Sequence, residues 1–250
     1  MTVLSVNLNK VALLRNQRDL DLPNVVRAGK ICLDAGAHGL TLHPRPDQRH
    51  ARPHDAFELA ELIRAGRAQR PGLELNIEGN PFPEFLDLVY AVRPDQCTLV
   101  PDAPGARTSD QGWDVAQHGE HLREIIAKLH DHGVRVSVFM NPDIAQIVRV
   151  PATGADRIEL YTEPYARAWG TANLEAMTQL YARAAREARA LDLGLNAGHD
   201  LNLHNLGHFC RHVPGVLEVS IGHAITADAL EMGWSAAVRA YVAILGEFAQ

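Results

Sequence analysis

Histidines and glutamates recur at places along this chain where they could move protons. Imidazoles at His43, His50, His199 and His223, and carboxylates at Glu74, Glu78 and Glu159, stand in or just after short apolar runs, with Asn7, Asn9, Asn76, Asn141 and Asn196 in the same settings. A polar side chain in an apolar run is costly unless something pairs it, so this repetition points to one shared polar pocket. Imidazoles, with unperturbed pKa values of about 6.5, both give and take protons near neutral pH. A glutamate among apolar walls is pushed up toward the same range. On placement alone, His43, Glu74 and His199 form the best acid–base set.

Other chemistries fit less well. Of the 24 basic residues only Lys10, Lys30 and Lys128 are lysines. Lys30 and Lys128 fall inside helical patterns, so an enzyme-lysine imine has Lys10 as its one weak candidate. Cys32, Cys97 and Cys210 lie in apolar contexts that read as buried structural thiols, and they are too scattered for a disulfide framework or zinc ribbon. His204 and His208 have i, i+4 spacing, but Asn205-Leu206-Gly207 between them lacks the glutamate of a zincin helix. No metal is expected. Anion binding has better support. Arg15, Arg18, Arg45 and Arg49 could converge on phosphate, which a planar guanidinium matches bidentately. Glycine-containing turns at Gly198 and Gly222 offer backbone N–H groups for a second anion.

Elements of two kinds must position these residues. Short β-type runs occur at Val3–Leu8, Gly39–His43, Leu73–Ile77, Gln96–Val100, Val134–Phe139, Arg157–Tyr161, Gly194–Ala197 and Leu217–Ile221. Amphipathic helical stretches such as Asn24–Ala35, Asp55–Ala68, Glu120–His130, Asn173–Ala190 and Ala236–Phe248 lie between them. This alternation predicts a (β/α)8 TIM barrel across residues 1–250 as one domain. A doubly wound sheet shares the alternation, but no Gly-x-Gly-x-x-Gly follows the first strand. In a barrel, the candidate residues cluster at the C-terminal strand ends, where such folds hold their chemistry.

Composition narrows the partners. Asp and Glu outnumber Lys and Arg by 30 to 24, a net charge of −6, which speaks against a nucleic-acid or anionic-membrane binder. No run of about twenty apolar residues predicts a membrane span, and Asn7, Asn9, Lys10 and Arg15 break the first apolar run before a signal-peptide core could form. With three scattered cysteines, a cytoplasmic setting is expected.

The segments Ser5–Asn16, Leu42-His43-Pro44-Arg45, Asp47–His50, Leu99-Val100-Pro101, Asn196–His199, His204-Asn205 and Ile221–Ile225 together resemble the pyridoxine 5′-phosphate synthase family. The resemblance covers almost the whole chain. It implies a barrel with extra helices that condenses 1-deoxy-D-xylulose 5-phosphate with 3-amino-2-oxopropyl phosphate. The products are pyridoxine 5′-phosphate, phosphate and water, formed without metal or organic cofactor. A homo-octamer is also implied. The substrate brings its own amine, which agrees with the scarcity of lysine.

Carried onto this chain, the resemblance makes His43 and Glu74 proton acceptors, with Glu78 as the competing carboxylate. His199 becomes the proton donor and Glu159 a transition-state stabiliser. Asn7, Arg18, Asp200, Gly222 and His223 match positions that bind the aminoketone phosphate or product. Asn9, Lys10, Arg45, His50 and Thr108 match those that hold the deoxyxylulose phosphate, and the loop Asp102–Val115 corresponds to a lid. Asn9-Lys10 replaces a commoner Asp-His, and Asp200 replaces a commoner Gly. The rival readings are a metal-dependent sugar-phosphate epimerase and a non-catalytic phosphate-binding barrel.

Overall fold

The structure, a computed structural model, describes residues 1–248 except Pro104 and Arg107. Eight parallel strands close into a barrel in chain order. They are β1 (Val3–Asn7), β2 (Gly39–Leu42), β3 (Glu74–Gly79), β4 (Gln96–Leu99), β5 (Arg135–Met140), β6 (Arg157–Tyr161), β7 (Gly194–Gly198) and β8 (Val216–Ile221). The ring closes through β1 and β8, where Leu4 opposes Val219 and Val6 opposes Ile221. Extra helices supplement the single helix per strand, as at Asn9–Arg15 after β1, Glu163–Ala168 after β6 and His223–Met232 after β8.

The apolar core lies between the strands and the helix ring. Leu40, Leu42, Leu75, Ile77 and Leu160 point outward from the strands and are buried against helix residues such as Leu59, Ile63, Ile126 and Tyr181. Alternation then sends the intervening strand residues into the lumen, and most of these are polar, with Phe139 and Tyr161 as an aromatic pair near the C-terminal end. Ser5 Oγ lies 2.7 Å from Thr41 Oγ1, and Thr98 Oγ1 lies 3.1 Å from Asn76 Oδ1. Gln96 on β4 donates to Glu218 on β8 and accepts from Asn196 on β7, at 3.4 and 3.2 Å. These strands are not neighbours, so both bonds cross the lumen.

The strand register corrects one expectation that matters for the site. β3 runs from Glu74 to Gly79, ending two residues beyond the expected Leu73–Ile77. Glu74 is therefore its first residue, at the N-terminal end of the barrel, and Glu78 stands near its C-terminal end. Four residues at about 3.3 Å each separate the two carboxylates along the strand by roughly 13 Å.

Candidate active site

The loops after the strands surround a cavity of about 640 Å³ at the C-terminal end of the barrel. β1 supplies Asn7, with Asn9 and Lys10 just beyond it, and β2 delivers His43, Arg45, Arg49 and His50. Thr108 follows β4, Glu159 comes from β6, and His199, Asp200, Gly222 and His223 follow β7 and β8. The structure thus brings together twelve of the fourteen site residues expected from the sequence.

Glu74 and Arg18 are the two it does not bring there. Glu74 forms a bidentate pair with Arg135 at the opposite end of the barrel. Burial raises its pKa, but the hydrogen bond from Arg135 and the charges of Arg157 and Arg67 outweigh this and hold it below the ordinary value. Arg18 is exposed in the segment after the first helix and does not line the cavity. Arg15 departs from the expected arginine cluster as well. It is buried against Asp55 of the helix Pro53–Gly66, and its Nη2 donates to that carboxylate at 3.0 Å.

The carboxylate at the mouth is Glu78. Asn7 Nδ2 donates to its Oε1 at 2.9 Å, and that oxygen stands 3.6 Å from Nδ1 of His43. The asparagines of the first strand act as a scaffold for this pair. Asn7 Oδ1 accepts from the Asn9 N–H at 3.0 Å, and Asn9 Oδ1 accepts from the His43 N–H at 2.8 Å. Asn9 thus offers an uncharged acceptor to the backbone at the start of the β2 loop.

Two further groups are set by burial. Glu159 is 2% exposed, and burial together with the Glu78 and Glu218 charges pushes its pKa well up. It fits beneath Gly198 because that residue lacks a side chain: an added Cβ would lie 2.3 Å from Glu159 Oε1. His199 sits against Tyr161 and Phe139, with ring centroids 5.3 and 5.9 Å away. Burial lowers its pKa against the opposing pull of Glu78, Asp200 and Asp102. His199 and Asp200 adopt φ values of +83° and +60°, a backbone region most residues avoid. Thr162 fastens this turn, its hydroxyl 2.6 Å from the Gly198 carbonyl and also bonded to the His199 carbonyl.

The cationic side of the cavity carries Lys10, Arg45 and Arg49, with His50 beside them. Burial, reinforced by the charges of His43, Arg45, Lys10 and Arg49, pushes the His50 pKa down to about 3. Its Nδ1 accepts from the Ala51 N–H at 2.9 Å, so neutral His50 presents Nε2–H as a donor. Asn16 shapes this loop by donating to the carbonyls of Gln48, Arg49 and His50 at 3.1, 3.1 and 2.8 Å. Across the cavity, Gly222 and His223 open the helix His223–Met232, whose N-terminal N–H groups suit an anion.

Sequence reading missed Ser220, Glu163, Arg167 and Asp110, which also line the cavity, and Asp102, which stands behind His43. Ser220 lies in the expected strand Leu217–Ile221, where alternation with Glu218 is the available signal; the others lie in loops or in the short helix Glu163–Ala168, where strand alternation gives none. The i, i+4 pair does not share a helix: His204 precedes the helix Leu206–His212, and His208 Nδ1 lies 2.9 Å from the Tyr165 hydroxyl. Among the described residues no group of three or more His, Cys, Asp or Glu side chains could hold a metal ion. Burial raises the pKa of all three thiols, those of Cys32 and Cys210 up to about 12.

The chain matches the family described as pyridoxal phosphate biosynthesis protein PdxJ over residues 4–247. It is 52% identical to pyridoxine 5′-phosphate synthase of Albidiferax ferrireducens over 251 residues, covering 98% of each chain. The same identity holds against the Xanthomonas axonopodis pv. citri enzyme of that name, over 98% of this chain and 96% of that one. Among solved structures, tryptophan synthase from M. tuberculosis matches 97% of this chain and 92% of its own, with a TM-score of 0.66 and 12% identity. Phosphoribosyl anthranilate isomerase from Thermotoga maritima matches 97% of each chain, with a TM-score of 0.61 and 13% identity. These two share the barrel.

Proposed function

We propose a specific reaction for this chain, which belongs to the PdxJ family of pyridoxal phosphate biosynthesis proteins and is an enzyme of vitamin B6 biosynthesis. It condenses 1-deoxy-D-xylulose 5-phosphate with 3-amino-2-oxopropyl phosphate, releasing pyridoxine 5′-phosphate, phosphate and water. The observation that carries this reading is the pairing of Glu78 with His43 in a cavity that also holds His199, Glu159 and four basic side chains.

The amine of one substrate attacks the ketone of the other, so the imine needs no enzyme lysine. Imine formation, enolisation and ring closure then depend on placed proton acceptors and donors. His43 and Glu78 accept protons, with Glu78 taking the role first expected of Glu74. His199 donates to the departing oxygen. Glu159, kept protonated by burial, supplies a hydrogen bond where negative charge develops on substrate oxygen. Lys10, Arg45, Arg49 and the Nε2–H of His50 hold one phosphate, with Thr108 beside them. The N–H groups at Gly222 and His223 hold the other, with Asn7 and Asp200 nearby.

The test is direct. Chelator-treated protein supplied with both phosphates is expected to form pyridoxine 5′-phosphate, followed by its absorbance or by mass spectrometry. Absence of product at saturating substrate would overturn the assignment. A cytoplasmic homo-octamer belongs to the same reading, and light scattering of the purified protein checks its size.

A further inference from the structure

His43 forms part of the wall between two cavities. On one side is the 640 Å³ site, lined by Glu78. On the other is a smaller cavity of about 360 Å³, lined by Pro44, Pro53, Phe82, Phe85 and Leu88 and bounded by Asp102. The two ring nitrogens of His43 face different acids: Nδ1 is 3.6 Å from Glu78 and Nε2 is 3.9 Å from Asp102 Oδ2. Asp102 is 6% exposed, and the same oxygen accepts from Arg45 Nη2 at 2.5 Å and Ser109 Oγ at 2.8 Å. Its backbone carbonyl accepts from Asn80 at 2.9 Å. A buried carboxylate fixed this firmly, behind an imidazole whose other nitrogen faces the reaction space, stands where the orienting acid of a general base stands.

We propose that Asp102 is a positioning residue for His43: it holds the Nε2–H tautomer from behind, leaving the Nδ1 lone pair directed into the site. Two acceptors flank the ring, and a neutral imidazole can donate to only one of them. Asp102 takes that N–H, which leaves the Nδ1 lone pair directed toward substrate. In the ligand-free protein the Asp102 charge, 3.9 Å from Nε2, acts on the tautomer through space, and ligand filling the cavity would shorten the contact to a hydrogen bond. The inference rests on the synthase reading for its kinetic consequence and not for its structural one.

The experiment has two arms. In the ligand-free protein, 15N NMR of the histidine ring nitrogens, with His43→Gln to assign the signal, is expected to show His43 as the Nε2–H tautomer. Asp102→Asn is expected to turn this into a mixture of tautomers. In turnover, Asp102→Asn is expected to lower kcat roughly 10- to 100-fold, part of the roughly 10²–10⁴-fold that a positioned base contributes, with both KM values within about twofold. In the His43→Gln background the same substitution should add less than about a twofold loss, because the two residues act as one unit. An Nδ1–H tautomer in the wild-type protein would overturn the proposal; the reading is made on the wild-type protein, with His43→Gln serving only to assign the signal. A raised KM with unchanged kcat would also overturn it, by assigning Asp102 to Arg45 alone. Full additivity with His43→Gln would do the same. A wild-type protein that shows the expected tautomer but makes no product would leave the positioning role intact and remove the synthase reading.

Discussion

The two ends of the barrel lumen use the same residue types in opposite ways. At the N-terminal end, Glu74 meets Arg135, Arg157 donates to Asn196 at 3.1 Å, and Gln96 bridges Asn196 and Glu218. At the C-terminal end, Glu78 and His43 stand 3.6 Å apart, and Glu159 and His199 face the cavity with burial shifting both toward their neutral forms. One end directs its charge into permanent partners; the other, although Arg45 is paired with Asp102, keeps Glu78, His43, Glu159 and His199 beside open space. Residue type alone therefore does not separate scaffold from chemistry; what separates them is whether a side chain already has its partner.

The sharpest way to break this comparison is to neutralise one glutamate at each end. Glu78→Gln is expected to lower kcat roughly 10²- to 10⁴-fold, the range for loss of a general base, with little change in melting temperature. Glu74→Gln should leave kcat within about threefold and cost about 1 kcal/mol of stability, because its ion pair is partly solvated. Denaturation curves alongside steady-state rates check both. Equal kinetic losses from the two variants would abolish the distinction.

A smaller effect is expected beneath the β7 turn. Gly198→Ala drives a methyl group against Glu159, so the acid must move or the strand must shift. The expected result is a kcat roughly 10-fold lower, since an ångström of misplacement is costly, and a stability loss of about 1–3 kcal/mol from overpacking.

The smallest effect concerns pH. His50 in the folded protein titrates near 3, well below its ordinary 6.5. Between those values the unfolded chain binds a proton that the folded chain refuses, so stability falls as pH falls through that window. At pH 5.5 the loss from this residue is about 1 kcal/mol relative to pH 8. His50→Asn should flatten that part of the stability–pH curve, measured by urea denaturation, and leave the neutral-pH value nearly unchanged.

The alternation of apolar runs and amphipathic stretches made the barrel readable from the sequence, and the polar strand ends made most of the mouth readable with it. Glu74 and Glu78 show where such reading stops. Together with Asn76 they lie on one face of β3, because side chains alternate with period two, and periodicity cannot tell the top of that face from the bottom. Only the strand boundaries decide between them, and these depend on pairing with β2 and β4. Arg15 escaped for a different reason. Its partner Asp55 is 40 residues away, and nothing local marks a guanidinium as already engaged. Asp102 sits in a loop, where no repeating pattern assigns it a direction.

Asn16 gives the β2 loop its shape from outside that loop, through three carbonyls in succession. This limits how the enzyme can be rebuilt. Grafting residues 43–52 alone into another barrel would transplant the histidines without the device that bends their backbone. The smallest portable unit spans two strands, from Val3 at the start of β1 through Asp55. Within this family, exchange of parts between barrels should therefore succeed in paired βα units and fail loop by loop.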